Sequence, residues 1–243
     1  ASLPSALAGR WGAPGRGEVR PNGGVGAHWL PATAPELAAC GSAGMLQLVV
    51  SGLVTATLGL LVRERLGAAI DAGPWMLGAA TVTGLLLGSR FLIDLAAGPA
   101  IGHWADLRGR EPALGAATLV IIGALLVLGA AASLPLIALA ALLLFAAATG
   151  SAAILDAWAG DLAGRSPGRF LPVYNTWLDL GAAAGPVLGY ALAARYGLAA
   201  TYGSGVAALL LAAGLRLWVW RSHGGWCRCK APHHAGHRDE EKQ

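Results

Sequence analysis

The sequence predicts an all-α fold, a polytopic membrane bundle of six transmembrane helices. Three features point there. The 243 residues are 56% hydrophobic and only 12% charged, against about 25% charged in soluble domains. The mean hydropathy is +0.59, more apolar surface than a soluble fold of this length hides. Six stretches also meet the requirement of roughly 20 mostly apolar residues for crossing about 30 Å of hydrocarbon.

Small residues support the same class. There are 36 glycines and abundant alanine, and small residues let helix backbones approach closely in lipid. GC-rich codon usage produces the same bias, and only Lys230 and Lys242 among the 17 basic residues are lysines. The net charge of +4 does not imply a nucleic-acid partner, because the basic residues sit at helix ends where membrane topology accounts for them. Cys40, Cys227 and Cys229 do not form a disulfide framework. Cys227 and Cys229 share a tail with His223, His233, His234 and His237. That tract reads as a metal-binding segment or as a mobile polar tail; the second reading is preferred, and no metal site or cofactor is expected. The chain starts at Ala1 without Met, and its first forty residues carry no clean signal peptide. It therefore reads as a fragment.

The spans follow in order. The first is expected over 42–62. The second, over 74–104, is long and expected to tilt or kink near Gly98 and Pro99. The third covers 112–132, the fourth 134–158, the fifth 170–196 and the sixth 199–220. Residues 1–41 are expected to be a flexible linker or leader, and 222–243 a polar tail. Trp75, Trp104, Trp158, Trp218 and Trp220 fall at the expected helix ends, as interfacial tryptophans do. Seven basic residues (Arg108, Arg110, Arg165, Arg169, Arg221, Arg228, Lys230) flank one side, against Arg63, Arg65 and Arg195 on the other. The positive-inside rule puts both termini in the cytoplasm.

Two motifs carry a family resemblance. The run GHWADLRGR between the second and third spans places Gly102, Asp106, Arg108, Gly109 and Arg110 in a pattern that resembles the G-x-x-x-D-R-x-G-R-R loop of the major facilitator superfamily. Leu107 and Glu111 depart from it, each standing where the pattern has a basic residue. On the fifth span, Gly181, Gly185, Pro186 and Gly189 resemble the family's G-x-x-x-G-P-x-x-G-G motif. Tyr174 stands where an earlier glycine belongs, and Tyr190 replaces the last one. Glycines at i and i+4 make a flat packing face, and the proline bends the helix. The family's arginine on span four is absent, its position being Ala146.

The resemblance covers about 42–221, one six-helix repeat of a two-repeat fold. It implies secondary active transport of a small solute by alternating access, proton-coupled, with drug or metabolite efflux favoured. It also implies a bacterial inner-membrane location. The first motif would latch and release helix ends through charge-assisted hydrogen bonds. The features divide between the two halves of such a transporter, with the balance toward the carboxy-terminal one. The implied partners are the lipid bilayer, a small solute, protons, and the missing six-helix half or a second copy.

Ionisable residues inside spans are expensive and mark function. Arg90 and Asp94 are i and i+4 on span two, so they share a face and can pair. Two roles fit: contact with substrate or proton, or an internally neutralised pair that joins helices. Asn175 and Asp179 repeat the spacing on span five. Asp179 fits a coupling carboxylate or, preferably, a partner for a basic loop residue. Asp156 and Asp161 are expected to face Arg165 or Arg169 in a structural role.

Other classes fit less well. A six-helix intramembrane protease needs Gly-x-Ser-Gly and a membrane histidine; Ser204 lacks the spacing, and all six histidines lie outside the spans or at their ends. No P-loop is present. The chain is not expected to be an enzyme. A non-transporting membrane scaffold is the remaining alternative.

Overall fold

The computed structural model describes residues 30–71, 76–164 and 167–222, and they are almost entirely helical. The tail beyond 222, with Cys227, Cys229 and its histidines, lies outside the described residues, as do Trp75, Arg165 and most of the expected leader.

The first helix starts earlier than expected, at Ala34 rather than near Ser42. Thr33 accounts for it. Its hydroxyl accepts from the Glu36 backbone N–H while the Glu36 carboxylate accepts from the Thr33 N–H, a reciprocal capping box, with Pro35 in the first turn. Helix α1 (Ala34–Gln47) passes without interruption into a π-helical stretch (Leu48–Val54) and then α2 (Thr55–Leu66). The widened turn is stabilised by the Thr55 hydroxyl, which donates to the Val50 carbonyl at 2.7 Å. Hydropathy alone carries no signal for such a turn, and π turns concentrate at functional sites.

A short antiparallel hairpin follows, β1 (Ala69–Asp71) with β2 (Met76–Gly78), in which Ala69 faces Gly78; its second strand occupies positions expected at the start of the second span. Helix α3 then runs from Ala79 to Arg108, through positions 98 and 99. A single residue, Gly109, separates it from α4 (Arg110–Ala130). Its φ of +93° is left-handed backbone that favours glycine. Helix α5 covers Leu134–Ala163, and α6 covers Pro167–Ser222.

Among the described residues five helices, rather than six, are long and apolar enough to cross a membrane by length and composition. The difference lies in α6, which covers both the fifth and sixth expected spans. Only Gly197 (φ +81°, ψ 169°) departs from helical geometry within it, dividing it into arms 167–196 and 198–222. A break made by one glycine leaves almost no loop.

The first arm of α6 crosses the π-helical stretch backbone to backbone. Gly181, Gly185 and Gly189, one turn apart, meet Gly44, Leu48, Gly52 and Leu53. A Cβ placed on Gly52 would lie 2.5 Å from the Gly185 Cα, and one on Gly185 would lie 2.5 Å from the Leu48 carbonyl oxygen. Pro186, inside the helix, offers no N–H to the carbonyl four residues back. Near the other end of this contact Tyr202 is buried against Thr57, their hydroxyls 3.3 Å apart.

Large apolar side chains cover the outside. Leu95 is 79% exposed and Leu211 72%, with Phe91, Leu92 and Val187 also exposed. Trp218 and Trp220 are exposed near the end of α6, whereas Trp158 is buried inside the bundle rather than held at a helix-end belt.

Candidate functional site

Three helices supply the site: the α1–π segment, α3 and α5. They enclose a cavity of about 290 Å³, lined among others by Gln47, Ser51, Arg90, Asp94, Thr149 and Asp156. Arg90 and Asp94 are thus brought to the cavity wall by their shared helix face.

The pair is embedded in a network. Arg90 Nε lies 3.9 Å from Asp94 Oδ2. Arg90 Nη2 donates to Ser51 Oγ at 3.1 Å, which ties α3 to the π-helical stretch. The guanidinium also sits over the Phe145 ring, 5.9 Å from its centroid, within cation–π range. Thr149 donates its hydroxyl proton to Asp94 Oδ1 or, in alternation, to the Phe145 carbonyl at 2.9 Å. One positive and one negative charge are therefore held by three helices, with the Asp94 side chain still 42% exposed.

Asp156 has no basic partner among the described residues, and Arg165, one of its two expected partners, lies outside them. It lines the same cavity and accepts a 2.7 Å hydrogen bond from Tyr174, whose ring is only 3% exposed. Asp161 pairs with Arg110, joining the ends of α4 and α5; of its two expected loop partners, Arg165 lies outside the described residues. Asn175 and Asp179 do not reach the cavity. Both are exposed on the first arm of α6, and Asp179 has no basic partner among the described residues.

The loop motif is divided. Gly102, Asp106 and Arg108 fall on the last turns of α3, whose side chains lie outside the described part of the structure. Gly109 makes the turn, and Arg110 pairs with Asp161. Glu111, the departure from the basic pattern, accepts from Arg216 Nε at 3.0 Å. Arg216 is 4% exposed. Sequence reading missed this arginine, although a lone charge inside an apolar span is the signal that finds such residues. Ser51 and Gln47 were also missed, because an uncharged polar residue in one helix gives no sign of a neighbour on another.

The buried pair makes a stability prediction. Glu111→Gln or Arg216→Met alone leaves an uncompensated buried group, at a cost on the order of 3–5 kcal/mol. The double variant Glu111→Leu/Arg216→Met removes both charges and is expected to regain most of that loss. Thermal unfolding of the detergent-purified protein measures it; losses that simply add would show that the two residues are not coupled.

An open hollow of about 550 Å³ lies toward the opposite end, lined by Leu60, Arg63, Glu64, Tyr190, Ala193, Ala194 and Leu198. It is larger than the Arg90 cavity, but among the described residues no hydrogen-bonded network converges on it. The smaller cavity is therefore the better candidate. No protein-family model matches this sequence, and no curated protein matches it either.

Proposed function

We propose that the chain is an integral membrane protein whose bundle crosses the bilayer six times, α6 contributing one span on each side of Gly197. In this reading it carries a small solute by alternating access, coupled to protons. Arg90 and Asp94 act in the pathway. The observation that carries the reading is the network of Arg90, Asp94, Ser51 and Thr149 on a cavity wall. A pair of charges deep in an apolar helix is expensive, and a packing role alone does not require a cavity beside it. The exposed leucines of α3 and α6 support the membrane setting.

Six spans put both ends of the bundle on one side. Arg110, Arg169 and Arg221 at that end favour the cytoplasm, in a bacterial inner membrane. A second six-helix unit, another repeat or another copy, would complete the pathway.

The test is flux in vesicles. The full-length protein is reconstituted and uptake of candidate solutes is followed with and without an imposed pH gradient. Arg90→Ala and Asp94→Ala are expected to abolish gradient-driven uptake. Unchanged flux in both variants would overturn the assignment of this pair.

A further inference from the structure

The charge balance of the cavity identifies a class of solute, an inference that rests on reading the cavity as the transport site. Three ionisable side chains line it: Arg90, Asp94 and Asp156. Arg90 is committed to Asp94, Ser51 and the Phe145 ring. Asp156 has no basic partner among the described residues; its one hydrogen bond comes from the neutral Tyr174 hydroxyl. Among the described residues, two carboxylates and one guanidinium leave one negative charge unbalanced, at the exposed Asp156.

The geometry around that charge is specific. Asp156 and Thr149 are i and i+7 on α5, so both lie on one face about 10 Å apart at 1.5 Å per residue. Between them the face carries Ala152 and Ala153, whose small side chains leave room. Leu46 and Val50 supply an apolar wall. Tyr174 donates to Oδ1 alone, which fixes the carboxylate and leaves Oδ2 to accept from a ligand. At the far side Gln47 lines the cavity with no hydrogen-bond partner among the described residues.

We infer that the cavity binds a small organic ammonium ion, its N–H donating to Asp156 and its apolar body lying along Ala152 and Ala153. Arg90 and Asp94, neutralised by each other, then form the other end of the site rather than the cation-holding end. Tyr174 is a positioning residue.

Binding to the full-length protein in nanodiscs tests the inference by calorimetry with three probes of similar shape: phenethylammonium, the neutral 2-phenylethanol and the anionic 3-phenylpropionate. Phenethylammonium is expected to bind best. Asp156→Asn is expected to weaken it at least about tenfold, the loss of one charge-assisted hydrogen bond. The asparagine oxygen still accepts from Tyr174, so an unchanged melting temperature serves as the folding control. Asp179→Asn, on an outer face, is expected to change nothing. Equal binding of the alcohol, or tighter binding of the phenylpropionate with its loss in Arg90→Gln, overturns the cation assignment and leaves the transport reading standing. Absence of binding by any probe, with wild-type flux in Asp156→Asn, overturns it as well. The transport reading fails separately, through the flux of the Arg90 and Asp94 variants.

Discussion

Gly185→Leu is expected to abolish the native bundle, and Gly185→Ala to lower its melting temperature sharply. The reason is what faces the position. A Cβ there would run into the Gly52 Cα and lie 2.5 Å from the Leu48 carbonyl oxygen. Both obstacles are backbone, so no rotamer change relieves them. Overpacking a close-packed site costs about 1–3 kcal/mol when side chains can adjust; here the two helices must separate, and the whole contact along Gly181, Gly185 and Gly189 loosens. Gly52→Ala is expected to behave alike, since its Cβ would meet the Gly185 Cα. Gly203→Ala is the control. Nothing lies within 4 Å of its Cβ position, and alanine gains about 1 kcal/mol of helix propensity over glycine. Thermal melts of the purified variants decide it; a Gly185→Ala protein as stable as the parent would contradict the crossing.

If the proposed transport holds, Asp94→Ala is expected to remove it and to destabilise the protein more than Arg90→Ala, which should remove flux alone. The asymmetry follows from what each remaining charge is left with. Without Asp94, Arg90 keeps its charge, because guanidinium does not deprotonate in proteins. A charge left unpaired near the middle of a span costs roughly 2.5–3.5 kcal/mol on insertion scales. Without Arg90, the Asp94 carboxylate still accepts a hydrogen bond from the Thr149 hydroxyl and its side chain is 42% exposed, so it is not left without a polar partner. The swapped double variant Arg90→Asp/Asp94→Arg is expected to recover stability but not flux, since Ser51 and the Phe145 ring are arranged for a guanidinium at position 90. Paired measurements of melting temperature and vesicle uptake separate the two effects. Recovery of full flux by the swapped variant would assign the pair a structural role only.

Much of this arrangement is legible along the chain. Apolar runs separated by short polar links mark the helices, because each span must satisfy its own backbone hydrogen bonds and clothe them in apolar side chains. The i, i+4 spacing of Arg90 and Asp94 put them on one face without knowledge of any neighbour. The glycines at 181, 185 and 189 likewise marked a flat stripe on one helix. Boundaries were less legible. The Thr33 cap extends α1 beyond the apolar run, and a hairpin strand occupies the start of the second span, because local hydrogen bonds rather than hydropathy set those ends.

What the sequence by itself determined is each helix as a separate object: its polarity, its stripes and the charges it carries. What only the tertiary structure decided is which stripes meet. The π turn at 48–54 is set against Gly185. Asp156 lines the Arg90 cavity. Arg216 reaches across more than a hundred positions to Glu111. Asp179, with the same spacing to Asn175 as Asp94 has to Arg90, is left on an outer face. The physical reason is that a side chain's partners on its own helix follow from a fixed period of 3.6 residues, whereas partners on another helix depend on crossing angle, rotation and depth. Those are settled by the packing of all the helices together.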